Sequence, residues 1–292
     1  MEVAVFGKSF GEVFFNNCHQ LFDYLHQKSI KVFIYKPFYE FLREKVNFTP
    51  QVAGFFSTPD QLPFVDIMFS IGGDGTFLET VTFVRDSGIP VVGINSGRLG
   101  FLADISRQEL PDALHEIETQ QYNVKKLSVL ELTSPHNLIG DFNFALNELA
   151  VHKQDSSSMI SIHVYVNDEF LNSYWADGLI VSTPTGSTAY SLSVGGPIMH
   201  PLSQGLIITP IAPHNLTVRP LVVPDDVELT LKVEARGGKF LASLDSRSVV
   251  MDETTELRIR KAAFSINMVE RTNHSFYSTL RNKLMWGADK RN

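Results

Sequence analysis

At 292 residues, with 20% charged and 43% apolar side chains, the chain is long enough for one large globular domain or two ordinary ones. A formal charge of −7 argues against a general nucleic-acid binder, which needs a basic face, so anionic ligands must be met by local cations, backbone donors or a metal. The lone Cys18 excludes an intrachain disulfide, no run reaches the roughly 20 apolar residues of a membrane span, and Met1–Gly7 reads as no signal peptide, so a cytoplasmic, enzyme-sized protein without a membrane partner is expected.

In chain order, Val3–Phe6 reads as a buried strand and Phe14–His26 as a helix. Lys31–Tyr35 and Val65–Ile71 follow as strands, Thr76–Arg85 as a helix with Phe77, Leu78, Val81 and Val84 on one face, and Pro90–Ile94 as a strand. Strands alternating with helices predict crossovers and a largely parallel sheet. Ser106 and Glu109 have capping-box spacing and predict a helix to about Gln120. After Lys126 the runs become short and β-prone: Leu127–Thr133, Ala145–His152 and Ile160–Val166. Asn167-Asp168 and Gly237-Gly238 are turn signals, and Ile162, Val164 and Val166 alternate with polar residues, which predicts an antiparallel sheet or sandwich. Ser278–Trp286 turns helical again. The expected organisation is an α/β domain over 1–126, a β-rich domain over 127–271, and a helical segment over 272–292 returning to the first.

Two loops carry the chemistry. Gly72-Gly73-Asp74-Gly75 falls between an apolar strand and a helix, where open α/β sheets bind ligands and helix N–H groups favour phosphate. Asp74 there would accept a proton, bond a ribose or hold a divalent cation; the plain alternative is a tight turn with Asp74 as helix cap. Neither Gly7-Lys8-Ser9 nor Gly73-Asp74-Gly75 completes a P-loop or a dinucleotide-binding G-x-G-x-x-G. The second loop, Asp177–Ser191, holds six Ser and Thr hydroxyls, at 182, 183, 185, 187, 188 and 191. Pro184 makes Thr183–Gly186 a loop, and Ser187–Leu192 is suited to start a helix. Tyr190 either stacks on a ligand ring or packs on the sheet. Asn147-Glu148 interrupts an apolar strand, which costs free energy if buried unpartnered; it marks a ligand face or a solvent-facing edge.

Gly72–Gly75, Gly93-Ile-Asn-Ser-Gly-Arg-Leu-Gly-Phe101, Asn147-Glu148 and the block Asp177–Tyr190 occur in this order, and Ser275-Phe-Tyr-Ser-Thr-Leu280 follows in the tail. Together they resemble the bacterial NAD kinases, ATP-dependent NAD 2′-phosphotransferases, over nearly the full length. The glycine-aspartate motif alone is shared with diacylglycerol, sphingosine and 6-phosphofructo-kinases; the block after Asp177 is the specific one. The resemblance implies an N-terminal Rossmann-like α/β domain and a C-terminal antiparallel β-sandwich domain. It implies NAD and ATP as ligands, a divalent cation such as Mg2+, and a homodimer or homotetramer. By the same resemblance Asp74 is the acceptor of the ribose 2′-hydroxyl proton, with Gly72, Gly73 and Gly75 as the phosphate loop. Asn147 and Glu148 would contact sugar and base, and Asp177, Thr185, Thr188, Ala189, Tyr190, Ser191, Leu192, Ser193, Ala212 and Arg247 the rest of NAD. Arg247 and Trp175 depart from common family residues and leave nucleotide preference open. A lipid kinase and a non-catalytic NADP-binding regulator are the alternatives, separated by assaying for a 2′-phosphorylated product.

Overall fold

The computed structural model describes residues 1–136, 139–154, 159–272 and 274–286. The chain divides into two compact units: Met1–Lys126 with Ile266–Asn292, and Leu127–Ser265.

Unit 1 alternates strand and helix: β1 (Glu2–Gly7), α1 (Phe15–Gln27), β2 (Lys31–Tyr35), α2 (Lys36–Lys45), β3 (Gly54–Phe56), β4 (Ile67–Gly72), α3 (Asp74–Val84), β5 (Val91–Asn95) and α4 (Leu110–Glu118). The strands pair in parallel in the order β3-β2-β1-β4-β5, the doubly wound arrangement with its switch point between β1 and β4. β1, β4 and β5 are almost wholly buried, as strands covered on both faces are, and Phe69, Ile71, Val92 and Ile94 pack with Leu21, Leu25 and Leu114 in one core. The sequence reading had passed over α2 and β3. α2 begins at Lys36-Pro37 directly after β2, with no turn residue to separate them, and β3 has three residues. The Ser106–Glu109 pair also differs from its prediction. The Ser106 hydroxyl and N–H both donate to the Glu109 carboxylate, and the helix starts only at Leu110, where Pro111 suits the first turn.

Unit 2 is a β-sandwich. Its strands are β6 (Tyr122–Ser134), β7 (Phe144–Ala145), β8 (Glu148–Lys153), β9 (Ile160–Val166), β10 (Glu169–Ala176) and β11 (Gly178–Ser182). After the single-turn helix α5 (Tyr190–Ser193) come β12 (Leu206–Ile211), β13 (Leu221–Val223), β14 (Leu229–Ala235), β15 (Lys239–Leu244), β16 (Arg247–Asp252) and β17 (Leu257–Arg271). One antiparallel sheet runs β13-β12-β11-β8-β15-β16. The other joins β10, β9, β14 and the first part of β17. Alternate residues Leu149, Val151, Leu179, Val181 and Leu206 of the first sheet meet Ile162, Val164, Leu229 and Leu231 of the second. Gly237-Gly238 links β14 to β15, which lie in different sheets, so it is not a hairpin turn. β17 changes partner along its length: Met268 pairs in parallel with Val91 in unit 1. The units therefore divide inside this strand, ahead of residue 271, and a uniform strand pattern does not show such a change of partner. The chain closes with α6 (Phe276–Leu284) in unit 1, capped reciprocally by Ser275 and Ser278.

Candidate active site

Asp74 opens α3 at the carboxyl end of β4, beside the switch point. It is not the helix cap, because Gly73 occupies that position. Instead its carboxylate crosses to the turn after β5. Oδ1 accepts the N–H groups of Leu102 (2.9 Å) and Ala103 (3.0 Å), and Oδ2 accepts that of Phe101 (2.9 Å) and pairs with Lys283 Nζ (3.2 Å). Burial pushes the carboxyl pKa up, but the Ala103 and Phe101 amides, the Lys283 charge and the Leu102 amide outweigh it and hold Asp74 below the ordinary carboxylate range.

This explains the motif ending in Gly100-Phe101. A Cβ on Gly100 would run into Asp74 Oδ1. Gly73 and Gly75 differ: a Cβ on either meets nothing within 4 Å. Nothing among the described residues demands glycine there, so the bare backbone faces open space beside the carboxylate and a helix N-terminus, as an incoming phosphate requires.

In unit 2 the predicted single strand Ala145–His152 is broken. β7 stops at Ala145 and β8 starts at Glu148, because Asp245 takes three successive N–H groups at the break: Leu146 (2.9 Å), Asn147 (2.8 Å) and Glu148 (3.1 Å). The loop after β11 is tied to the same break. Thr183 N–H donates to Asn147 O (2.8 Å), Thr183 Oγ1 to Leu146 O (2.6 Å), and Gly186 packs so closely on Asn147 that a Cβ would strike its carbonyl. Asn147 and Glu148 are 6% and 8% exposed, so they form no solvent-facing edge.

In this part of unit 2, three buried side-chain atoms have no hydrogen-bond partner: Asn147 Oδ1, Glu148 Oε2 and Thr185 Oγ1. Orphaned buried acceptors are costly and need an explanation, which a bound polar ligand supplies. Burial pushes the Glu148 carboxyl up to about 8, helped by the charge of Asp245 and opposed by the Tyr190 N–H. Near neutral pH it is therefore protonated and can donate as well as accept. Glu148, Ala150 and His152 lie on one face of β8, away from the sandwich core. The Tyr190 ring stacks on His152 at 5.5 Å and 19°, with 36% of the residue exposed, and burial lowers the His152 pKa, keeping its ring neutral.

The other predicted residues are dispersed more widely. Of the six hydroxyls, Ser182, Thr183 and Ser187 bond backbone carbonyls and buried Ser191 bonds Thr209 (3.0 Å), so each of these four has a protein partner. Thr188 leans on Thr185 O (3.3 Å). α5 has only four residues, short of the helix suggested at Ser187–Leu192; Ala189 precedes it and Leu192 and Ser193 lie within it, all at intermediate or full exposure. Asp177 and Ala212 sit at the far end of the same strands, where Asp177 pairs with Lys153 (2.6 Å). The Arg247 guanidinium donates to the carbonyls of Phe142 (2.5 Å) and Phe144 and lies over the Phe142 ring, which commits it to holding that segment rather than to a phosphate. The amides of residues 101–103, Asp245, His152 and Lys283 went unsingled in the sequence, since each acts across a long separation.

Residues 16–122 match the ATP-NAD kinase N-terminal domain and residues 146–271 the ATP-NAD kinase C-terminal domain. The chain is 47% identical over 292 residues to the NAD kinase of Cytophaga hutchinsonii and 46% identical over 292 residues to that of Bacteroides fragilis, covering all of each. Its fold is similar to that of a yeast NADH kinase complexed with NADH (TM-score 0.87, 24% identity, 99% of this chain and 89% of that one). It is also similar to that of an Archaeoglobus fulgidus NAD kinase in complex with ATP (TM-score 0.75, 24% identity, 98% and 99%). A full-length match to both halves, on a chain whose fixed carboxylate and orphaned acceptors fall within the matching motifs, makes this protein a member of the ATP-NAD kinase family.

Proposed function

We propose that Asp74 aligns the acceptor alcohol in the phosphorylation of NAD to NADP by ATP, the reaction of the family to which the chain belongs. The observation that carries this role is the Asp74 carboxylate itself, fixed by three amides beside the open backbone of Gly73 and Gly75. In the balanced step the adenosine-ribose 2′-oxygen attacks the γ-phosphorus. The O2′–Pγ bond forms, the bond from Pγ to the bridging oxygen breaks, and its electron pair leaves on ADP. The hydroxyl proton passes to Asp74 late in the transfer. A carboxylate held below its usual range is a weak base, so alignment contributes more than proton abstraction, as the loose transition state of phosphoryl transfer requires. Asn147, Glu148 and Thr185 supply polar partners to the sugar and base of NAD, and the exposed part of Tyr190 faces one of its rings.

The resemblance also implies a divalent cation. Among the described residues no three His, Cys, Asp or Glu side chains converge on a metal site, and both Asp74 oxygens already have donors. These residues do not fit a protein-held metal, and we place the cation on the ATP phosphates. A cytoplasmic homodimer or homotetramer completes the reading. Exposed Phe170 and Trp175 on the outer strand β10 support self-association, and no described helix is long and apolar enough to cross a membrane.

The test is Asp74→Asn, which keeps the shape and removes the charge. NADP formation is expected to fall about a hundredfold or more in kcat while NAD affinity, measured by calorimetry, changes less than about threefold. Near-normal turnover would remove Asp74 from the mechanism.

A further inference from the structure

Lys283 stands in the last turn of α6, where a basic residue is ordinary company for the helix dipole. The position of its ammonium is not ordinary. Nζ lies 3.2 Å from Asp74 Oδ2 and 4.5 Å from the centroid of the Phe101 ring, and the Phe101 N–H donates to that same oxygen. A carboxylate offers about four acceptor directions. On Asp74 three go to the rigid amides of residues 101, 102 and 103, and the fourth to Lys283. Any alcohol that bonds this carboxylate must therefore take or share the direction Lys283 holds, since the side chain is the one donor able to move.

The placement of α6 is itself built. Its first turn is closed by the Ser275–Ser278 box. The preceding His274 bonds Glu109 (2.6 Å) and lies 3.7 Å from Asp104, and the Phe276 ring meets that of Phe101 at 6.3 Å. The helix is thus anchored on the segment whose amides grip Asp74. Glu79, on the same helix α3 as Asp74, pairs with Lys8, and Arg281 shares the last turn of α6 with Lys283.

We propose that Lys283 is a positioning residue of the phosphoryl transfer: its ammonium keeps the Asp74 carboxylate charged and aimed, and holds the acceptor direction that the substrate alcohol takes. The inference rests on the role given to Asp74 above. Lys283 exchanges no atoms with the substrates.

The experiment compares Lys283→Met, Lys283→Arg and Asp74→Asn, singly and with Lys283→Met combined with Asp74→Asn, in the full chain. Kinetics of NADP formation are followed against pH, and each variant is checked by thermal melting. Lys283→Met is expected to lose about tenfold in kcat, with KM for NAD changing less than about threefold. Its acid limb should move to higher pH, because a cation that helps the amides hold the carboxyl ionised has gone. Lys283→Arg should recover most of the rate, and it keeps the test open if the Met variant fails to fold. The double variant should turn over no more slowly than Asp74→Asn alone. Unchanged kcat and acid limb in a folded Met variant, or additive losses in the double variant, overturn the inference and leave Asp74 in place. Normal turnover of Asp74→Asn removes both.

Discussion

Glu148 shows at the residue scale how burial alters a polar group. Its carboxyl is 8% exposed, faces the Asp245 charge, and has one oxygen without a partner. With a pKa raised from 4.5 to about 8, the folded state holds a proton that the unfolded chain has released. Its contribution to stability is therefore fully present below about pH 4.5 and is lost as the pH rises through about 8. Glu148→Gln, which cannot ionise, should melt at a higher temperature than the parent at pH 9 and close to it at pH 5 when both are ligand-free. A melting series that is parallel for the two proteins would show that Glu148 titrates normally. That Asn147 and Glu148 stand out was legible in the sequence, because a carboxylate between two leucines is out of place in a strand. What holds them was not: Asp245 lies nearly a hundred positions away, at the tip of the β15–β16 turn.

Among elements, α4 and the C-terminal segment of unit 1 are joined by a clamp of charged residues. Arg271, 7% exposed, bonds Glu116 through two nitrogens (2.7 and 2.8 Å), and His274 bonds Glu109 while facing Asp104. Bonding to Asp104, opposed by burial and reinforced by Glu109, raises the His274 pKa to about 9. A raised histidine stabilises fully below about 6.5 and loses that contribution as the pH climbs through about 9. His274→Gln should therefore melt several degrees below the parent at pH 6, with the gap closing by pH 10. A constant gap would mean that the ring serves by packing alone. The Glu148 window lies lower, so the two variants separate the two declines. Helix and strand runs of this unit could be read from apolar spacing. The clamp could not, because charged residues on a helix are usually a solvated face and only the return of the chain at Ile266 turns α4 into an interface.

On the scale of the whole molecule, a chain that puts a doubly wound α/β unit and a β-sandwich side by side in sequence is committed to one reaction by its loops rather than by either layer. Purified protein given ATP with NAD should form NADP, and given ATP with diacylglycerol should form no phosphatidic acid. Light scattering should return the mass of two or four chains; a mass of one chain would sink the self-association read from β10.

The sequence by itself determined the α/β and antiparallel β layers and marked out two loops rich in glycine and hydroxyls, since these rest on local spacing: apolar period, glycine clusters, hydroxyl density; the reaction class came from its resemblance to the NAD kinases. Only the tertiary structure decided how those loops work. It set Asp74 on amides almost thirty positions away and on a lysine 209 positions away, broke the strand at Asn147, and tied Ser182, Thr183, Ser187 and Ser191 of the Asp177–Ser191 loop to protein partners. A hydrogen bond depends on where two groups meet in space, and neither the separation of its partners along the chain nor which donor reaches an acceptor first is written in the pattern around either one.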